Sequence, residues 1–284
     1  MEIIDQIKKI FIKFYGKEYE ELIVKRLSSL EGIIFYDKKT NVISDTSSKK
    51  SYLQHYGITD MNNKIIAEEI PFSKYIIRNG FPGMMSWVEK GNLKTIIYFP
   101  RKDQSSINYD YVLIHELLHV LDEHIIIQDE DKVVTRGGFS TMTLVGDYEV
   151  EDYEWFNELI HQRISEEIME YTINLQINLY NTKEERIIAK NKYLKDQNPV
   201  IEQFYQTFKQ KLIEYKINGH LEKLINDLGK DNFLQFNSWL NKYYTKYSSP
   251  TIREIKFNDD ERQIMIGEGL SIVAKMRENI NYFK

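Results

Sequence analysis

The stretch YDYVLIHELLHVLDEHIII (109–127) constrains this chain more than any other. Val112, Leu113, Leu117, Leu118, Leu121 and Ile125 recur at helical spacing, so the segment is expected as one amphipathic helix with a broad apolar face. Burying that face fixes where the polar residues point. His115 and His119 are four residues apart, and side chains at i and i+4 project from one face, about one turn from each other. Two imidazoles held this way can each offer a nitrogen to one zinc ion. Glu116 lies about 100° further round the helix, off the ligand position. Its longer side chain suits a general base acting on water beside the metal. With six histidines in 284 residues, the pattern HExxH arises by chance in about one such chain in a hundred.

The chain has no cysteine, so a metal site must be built from histidine and carboxylate, and no disulfide framework exists. The 284 residues, 42% apolar and 29% charged, suffice for one large domain or two modest ones with a sizeable core. A net charge of −5 argues against a nucleic-acid partner, which would want a basic face. Acids and lysines interrupt MEIIDQIKKIFIKFYG, so it is not expected to act as a signal peptide. No run approaches the ~18 apolar residues of a membrane span. The expected location is cytoplasmic, with unconventional export left open.

Residues 1–30 are expected as two helices broken near Gly16, and GIIFY (32–36) as a short strand. A polar, turn-rich stretch fills 37–65. MMSWVEKGNLKTIIYF (84–99) predicts a hairpin about Lys90-Gly91-Asn92, ended by Pro100. Residues 128–152 are expected as a long acidic loop around RGGF (136–139), and 153–180 as a helix. Beyond Asn181 the pattern is helical: one helix over 182–197, then another opened by Pro199 with Ile201, Phe204, Phe208, Leu212 and Tyr215 on one face. Gly219, Gly229 and Ser248-Ser249-Pro250 punctuate the remainder. The expected class is α+β, with a small mixed or antiparallel sheet and the histidine helix in 1–180. An all-α region over 181–284 is either a second unit or part of the same domain.

A catalytic zinc wants three protein ligands and an open position. The leading candidate for the third is Glu158, in WFNELIHQRISEEIMEY (155–171), where the chain has room to end one helix, turn back and cross beneath the metal with another. Glu166 and Glu167 are its rivals, Glu166 pairing with Glu170 at i, i+4. Asp122 suits a supporting role, accepting the second N–H of a histidine ring. His124 rotates off the ligand face. Tyr148, Tyr153 and His161 are candidates to stabilise an oxyanion.

HELLH followed by a helical FNE resembles the gluzincin branch of the zincin metallopeptidases, over residues 95–175. The resemblance implies a zincin-like catalytic domain holding zinc on His115, His119 and Glu158, with Glu116 as catalytic base. It implies hydrolysis of peptide bonds by a zinc-activated water, aided by His161 or Tyr153, on a peptide or protein substrate. The chain departs from the pattern at Gln162, where an acid often follows the ligand glutamate by four residues. RGGF is similar to a Gly-Phe element of small bacterial zincin-like proteins, and HELLHVLDE (115–123) to the HExxHxxD of lethal-factor-type toxin peptidases. In zincins an edge strand beside the metal helix binds substrate as an added strand, and NLKTIIYFP (92–100) is placed for that role unless it is an interior strand. A regulatory or partner-specific scaffold that turns nothing over is the alternative, and a zinc hydrolase of non-peptide amides a third. Cleavage specificity and oligomeric state are not legible.

Overall fold

One sheet precedes the histidine-bearing helix in the chain and another follows it, and each revises an expectation. The computed structural model describes residues 2–36, 51–53, 69–71, 82–89, 92–105, 107–129, 132–145, 148–174, 179–195, 198–247 and 259–282. Helices α1 (Glu2–Tyr15) and α2 (Glu20–Leu27) are separated by Gly16, whose φ of 113° no β-carbon-bearing residue adopts easily, and by a short 3-10 turn. Strand β1 (Leu30–Tyr36) follows. The expected hairpin is present as β4 (Gly83–Glu89) and β5 (Asn92–Pro100), antiparallel, with Glu89 opposite Asn92. Short β2 (Ser51–Leu53) and β3 (Glu69–Pro71) pair with each other, and the rest of the polar 37–65 stretch lies outside the described residues, as does the turn at Lys90-Gly91.

The first sheet has the order β1-β5-β4, β5 running parallel to β1 and antiparallel to β4. NLKTIIYFP is therefore an interior strand and not the edge. Its consecutive buried residues Ile96, Ile97, Tyr98 and Phe99 give the physical reason: a strand covered on both faces is apolar without alternation. Among the described residues β4 is the edge strand of this sheet that packs beside the histidine helix, and β2 also touches β4.

The second correction concerns 109–152. The histidine helix, α3 (Tyr109–Leu121), stops six residues short of the expected end, and Asp122 is already extended at ψ 151°. The region expected as an acidic loop is instead a four-stranded antiparallel meander of β6 (His124–Asp129), β7 (Lys132–Gly137), β8 (Ser140–Val145) and β9 (Tyr148–Asp152). Runs such as Ile125-Ile126-Ile127 and Val133-Val134-Thr135 are β-branched, which outweighs the helical phase of Ile125 and the acids between strands. The β7–β8 hairpin turns on Gly138-Phe139, with Gly138 left-handed at φ 61°.

Helix α4 (Glu154–Asn174) packs across α3. Then come α5 (Lys183–Lys195), α6 (Pro199–Asn218), α7 (Leu221–Leu228), α8 (Lys230–Tyr247) and α9 (Asp259–Tyr282). Asn198 caps α6 by accepting from the Val200 N–H, Pro199 takes its first turn, and Gly219 ends it at φ 69°. One apolar core runs through both the N-terminal and C-terminal regions: Phe156 of α4 meets Phe204 of α6 and Phe233 and Phe236 of α8. No helix among the described residues is long and apolar enough to cross a membrane.

Candidate metal centre

Leu113, Ile114, Leu117, Leu118 and Leu121 are all buried, so α3 has one permitted rotation. That rotation turns His115 and His119 toward α4. Buried Phe156, Leu159 and Ile160 fix α4 in the same way and leave Glu158 facing the histidines. Glu158 Oε2 lies 3.1 Å from His115 Nε2, and Oε1 lies 3.2 Å from His119 Nε2. His161, one turn on, completes a group of four whose ligand atoms all lie within 4.8 Å of one another. Its ring meets that of His119 edge-on, with centroids 4.0 Å apart.

The electrostatics follow from the crowding. Burial alone would raise the Glu158 pKa, but hydrogen bonds from His115 and His119 hold the carboxyl well below the usual range. Burial opposes the charging of His119, and Glu158 more than compensates, so its pKa rises. Glu116 is pushed up by burial, with His119 and His115 pulling it back and Glu158 adding to the push. His161 is held well below its ordinary value by burial and by the neighbouring His119 and Lys216. A neutral imidazole is the form that ligates a metal.

The third-ligand rivals are engaged elsewhere. Glu166 pairs with Arg163, and Glu167 lies 2.7 Å from Lys209 Nζ. Gln162 Nε2 donates to Glu166 and so does not support Glu158. Of the oxyanion candidates, His161 is 0% exposed, at the base of the cluster and not in an open cleft. Tyr153 lays its ring against Phe233, and no hydrogen bond or ring contact links it to the cluster among the described residues. The Tyr148 side chain lies outside the described residues. His124, off the ligand face as expected, sits with Nε2 3.1 Å from the His119 carbonyl.

Asp122 has the supporting place assigned to it, but beside His161 and not the other two histidines: Oδ2 lies 3.1 Å from His161 Nε2. What the sequence reading missed is its second neighbour. Lys216 of α6, 2% exposed, donates to Asp122 Oδ1 at 2.5 Å and to Asn157 Oδ1 at 2.6 Å. Nothing in the sequence marks Lys216, because a lysine between Tyr215 and Ile217 is expected to reach solvent. Arg26 of α2 is a second unmarked residue. Its Nη1 donates to the carbonyls of Leu121 and Ile217, closing the C-terminal turns of α3 and α6 together.

The donor set suits zinc or a similar borderline ion, with imidazole nitrogens and one carboxylate and no thiolate. One further observation favours a metal: among the described residues Nδ1 of the fully buried His161 has no hydrogen-bond partner, its Nε2 being the atom that faces Asp122. A buried polar atom left without a partner is costly, and a coordinated ion would satisfy it. No family model, curated protein or solved structure matches this chain.

Proposed function

We propose that the chain is a zinc-dependent metallopeptidase that hydrolyses peptide bonds. The observation that carries this reading is the Glu158 carboxylate standing between His115 and His119, with Glu116 on the same helix turn. His115, His119 and Glu158 would hold the ion, with the His161 imidazole as a fourth donor beside it. Zinc there supplies Lewis acidity and lowers the pKa of water. Glu116, its carboxyl already raised by burial, takes the proton from the attacking water and returns it to the leaving amine. As the edge strand beside the histidine helix, β4 would offer an extended peptide the backbone groups of an added strand. A partner-specific scaffold without turnover stays second, because such a protein would not require Glu116.

Two measurements test the reading. Purified protein in chelator-free buffer is expected to carry about one zinc per chain, and a metal content far below that would sink the proposal. Glu116→Gln is expected to keep the zinc and lose about 10²–10⁴-fold in peptide turnover. Full turnover by Glu116→Gln would remove Glu116 from the mechanism.

A further inference from the structure

Behind the donors lies a closed polar chain that joins three distant parts of the sequence. Lys216 Nζ, from the C-terminal helices, touches Asp122 at the end of α3 and Asn157 at the start of α4. The Asn157 Oδ1 also accepts the backbone N–H of Phe139 in the β7–β8 turn, at 3.0 Å. Phe139 presents its ring to the ammonium, 5.1 Å from ring centre to Nζ. Gly138, the second glycine of RGGF, explains itself here: a β-carbon at that position would collide with both Lys216 Nζ and Asp122 Oδ2. The turn is glycine because the Asp122–Lys216 pair occupies the space a side chain would take.

The geometry points to Lys216 as a positioning residue for the metal centre. It clamps Asp122 beside His161, and it clamps Asn157, the residue preceding Glu158, so the C-terminal helical region is built into the shell around the metal. This rests on the metal-binding reading above. Each contact acts on one step of the shell: Asp122 borders the ring of His161, and Asn157 fixes the first turn of α4 from which Glu158 projects. Arg26, bonded to the carbonyls of both Leu121 and Ile217, holds the two helix ends on which Asp122 and Lys216 stand.

The test uses cobalt(II) as the probe on the full chain, reading its affinity and visible absorption. Removing Lys216 alone would strand a buried Asp122 charge, so the main variant is the double substitution Asp122→Asn with Lys216→Met, which leaves no charge unpaired. Folding is followed by circular dichroism. The folded double variant is expected to bind cobalt about 10–100-fold more weakly than wild type, with a shifted visible spectrum. Wild-type affinity and spectrum in the folded double variant would overturn the proposal and leave the metal reading intact. If wild type itself binds no cobalt, the metal reading falls, and this one with it. Should the double variant fail to fold, Gly138→Ala decides, because its β-carbon displaces the pair without removing a charge. A shifted cobalt spectrum there supports the clamp, and an unchanged one overturns it.

Discussion

Both ends of the histidine helix carry a buried aspartate facing a cation from the C-terminal helices, yet the two pairs differ. At the N-terminal end, Asp110 Oδ1 accepts the N–H groups of Tyr180 and Asn181, and Oδ2 stands 3.7 Å from Arg186 Nε. At the C-terminal end, Asp122 Oδ1 meets Lys216 Nζ at 2.5 Å. Burial raises the Asp110 pKa to about 6, because the hydrogen bonds, Arg186 and Lys102 only partly offset it. Burial works against Asp122 too, but Lys216 and His161 overcome it and hold the carboxyl below the usual range. A cation more than an ångström further away, out of hydrogen-bonding reach, leaves desolvation in control. Asp110 also has the favourable helix end, where backbone N–H groups welcome an acid, whereas Asp122 stands at the end that repels one. The site-facing end is thus held by a contact pair acting against the helix field, and the far end by backbone donors acting with it.

Breaking the contact pair has the largest expected effect. Lys216→Met leaves a fully buried, ionised Asp122 without its cation, and should cost about 3–5 kcal/mol of unfolding free energy in metal-free protein. Arg186→Met should cost about 1–3 kcal/mol, because Asp110 keeps two backbone donors and takes up a proton readily. Urea denaturation of both variants at one pH checks the order. Equal losses would mean that distance does not distinguish the two pairs.

The pH dependence sharpens the same contrast. Folding raises the Asp110 pKa from 3.8 to about 6. Between those values the folded chain holds a proton that the unfolded chain has lost. The contribution of Asp110 to stability is therefore fullest below about pH 4 and is lost as pH rises through about 6. The whole effect is on the order of 3 kcal/mol. The groups facing Asp110 are the N–H donors of Tyr180 and Asn181, Arg186, and Lys102 at longer range. Asp110→Asn removes the titration. The stability difference between wild type and this variant should change across pH 4–6.5 in urea titrations, and a difference constant over that range would refute the assignment.

The grouping of the donor side chains was legible because it is local. Helical phase alone brings His115 and His119 together, and an acid on the following amphipathic helix is the simplest completion. The structure brings Glu158 there and engages Glu166 and Glu167 with cations elsewhere. The α+β class and the helical run after Asn181 also follow from periodicity. What escaped was non-local. β5 lies between β1 and β4 because of a pairing that joins Tyr36 to Pro100, far apart in the chain, which alternation within β5 cannot reveal. The meander over 124–152 was hidden by its acids, although its β-branched runs carried the signal. Lys216 escaped because residue-type rules send lysine to solvent, and only the fold puts Asp122, Asn157 and the space beside Gly138 around it.

The smallest expected effect isolates the N-terminal end of the helix. Asn108 Oδ1 accepts the Tyr111 N–H at 2.9 Å, and its amide donates to the Glu185 carbonyl at 3.3 Å. Asn108→Ala removes a helix cap and should cost about 1 kcal/mol. The histidines begin two turns further on, and the turn that carries His119 is tied down separately by Arg26 bonding to Leu121. The cobalt spectrum of Asn108→Ala should therefore match wild type while its unfolding midpoint falls. A spectral shift as large as that of the Asp122→Asn, Lys216→Met variant would mean that the rigidity of the whole helix, and not its C-terminal clamp, sets the geometry of the donors.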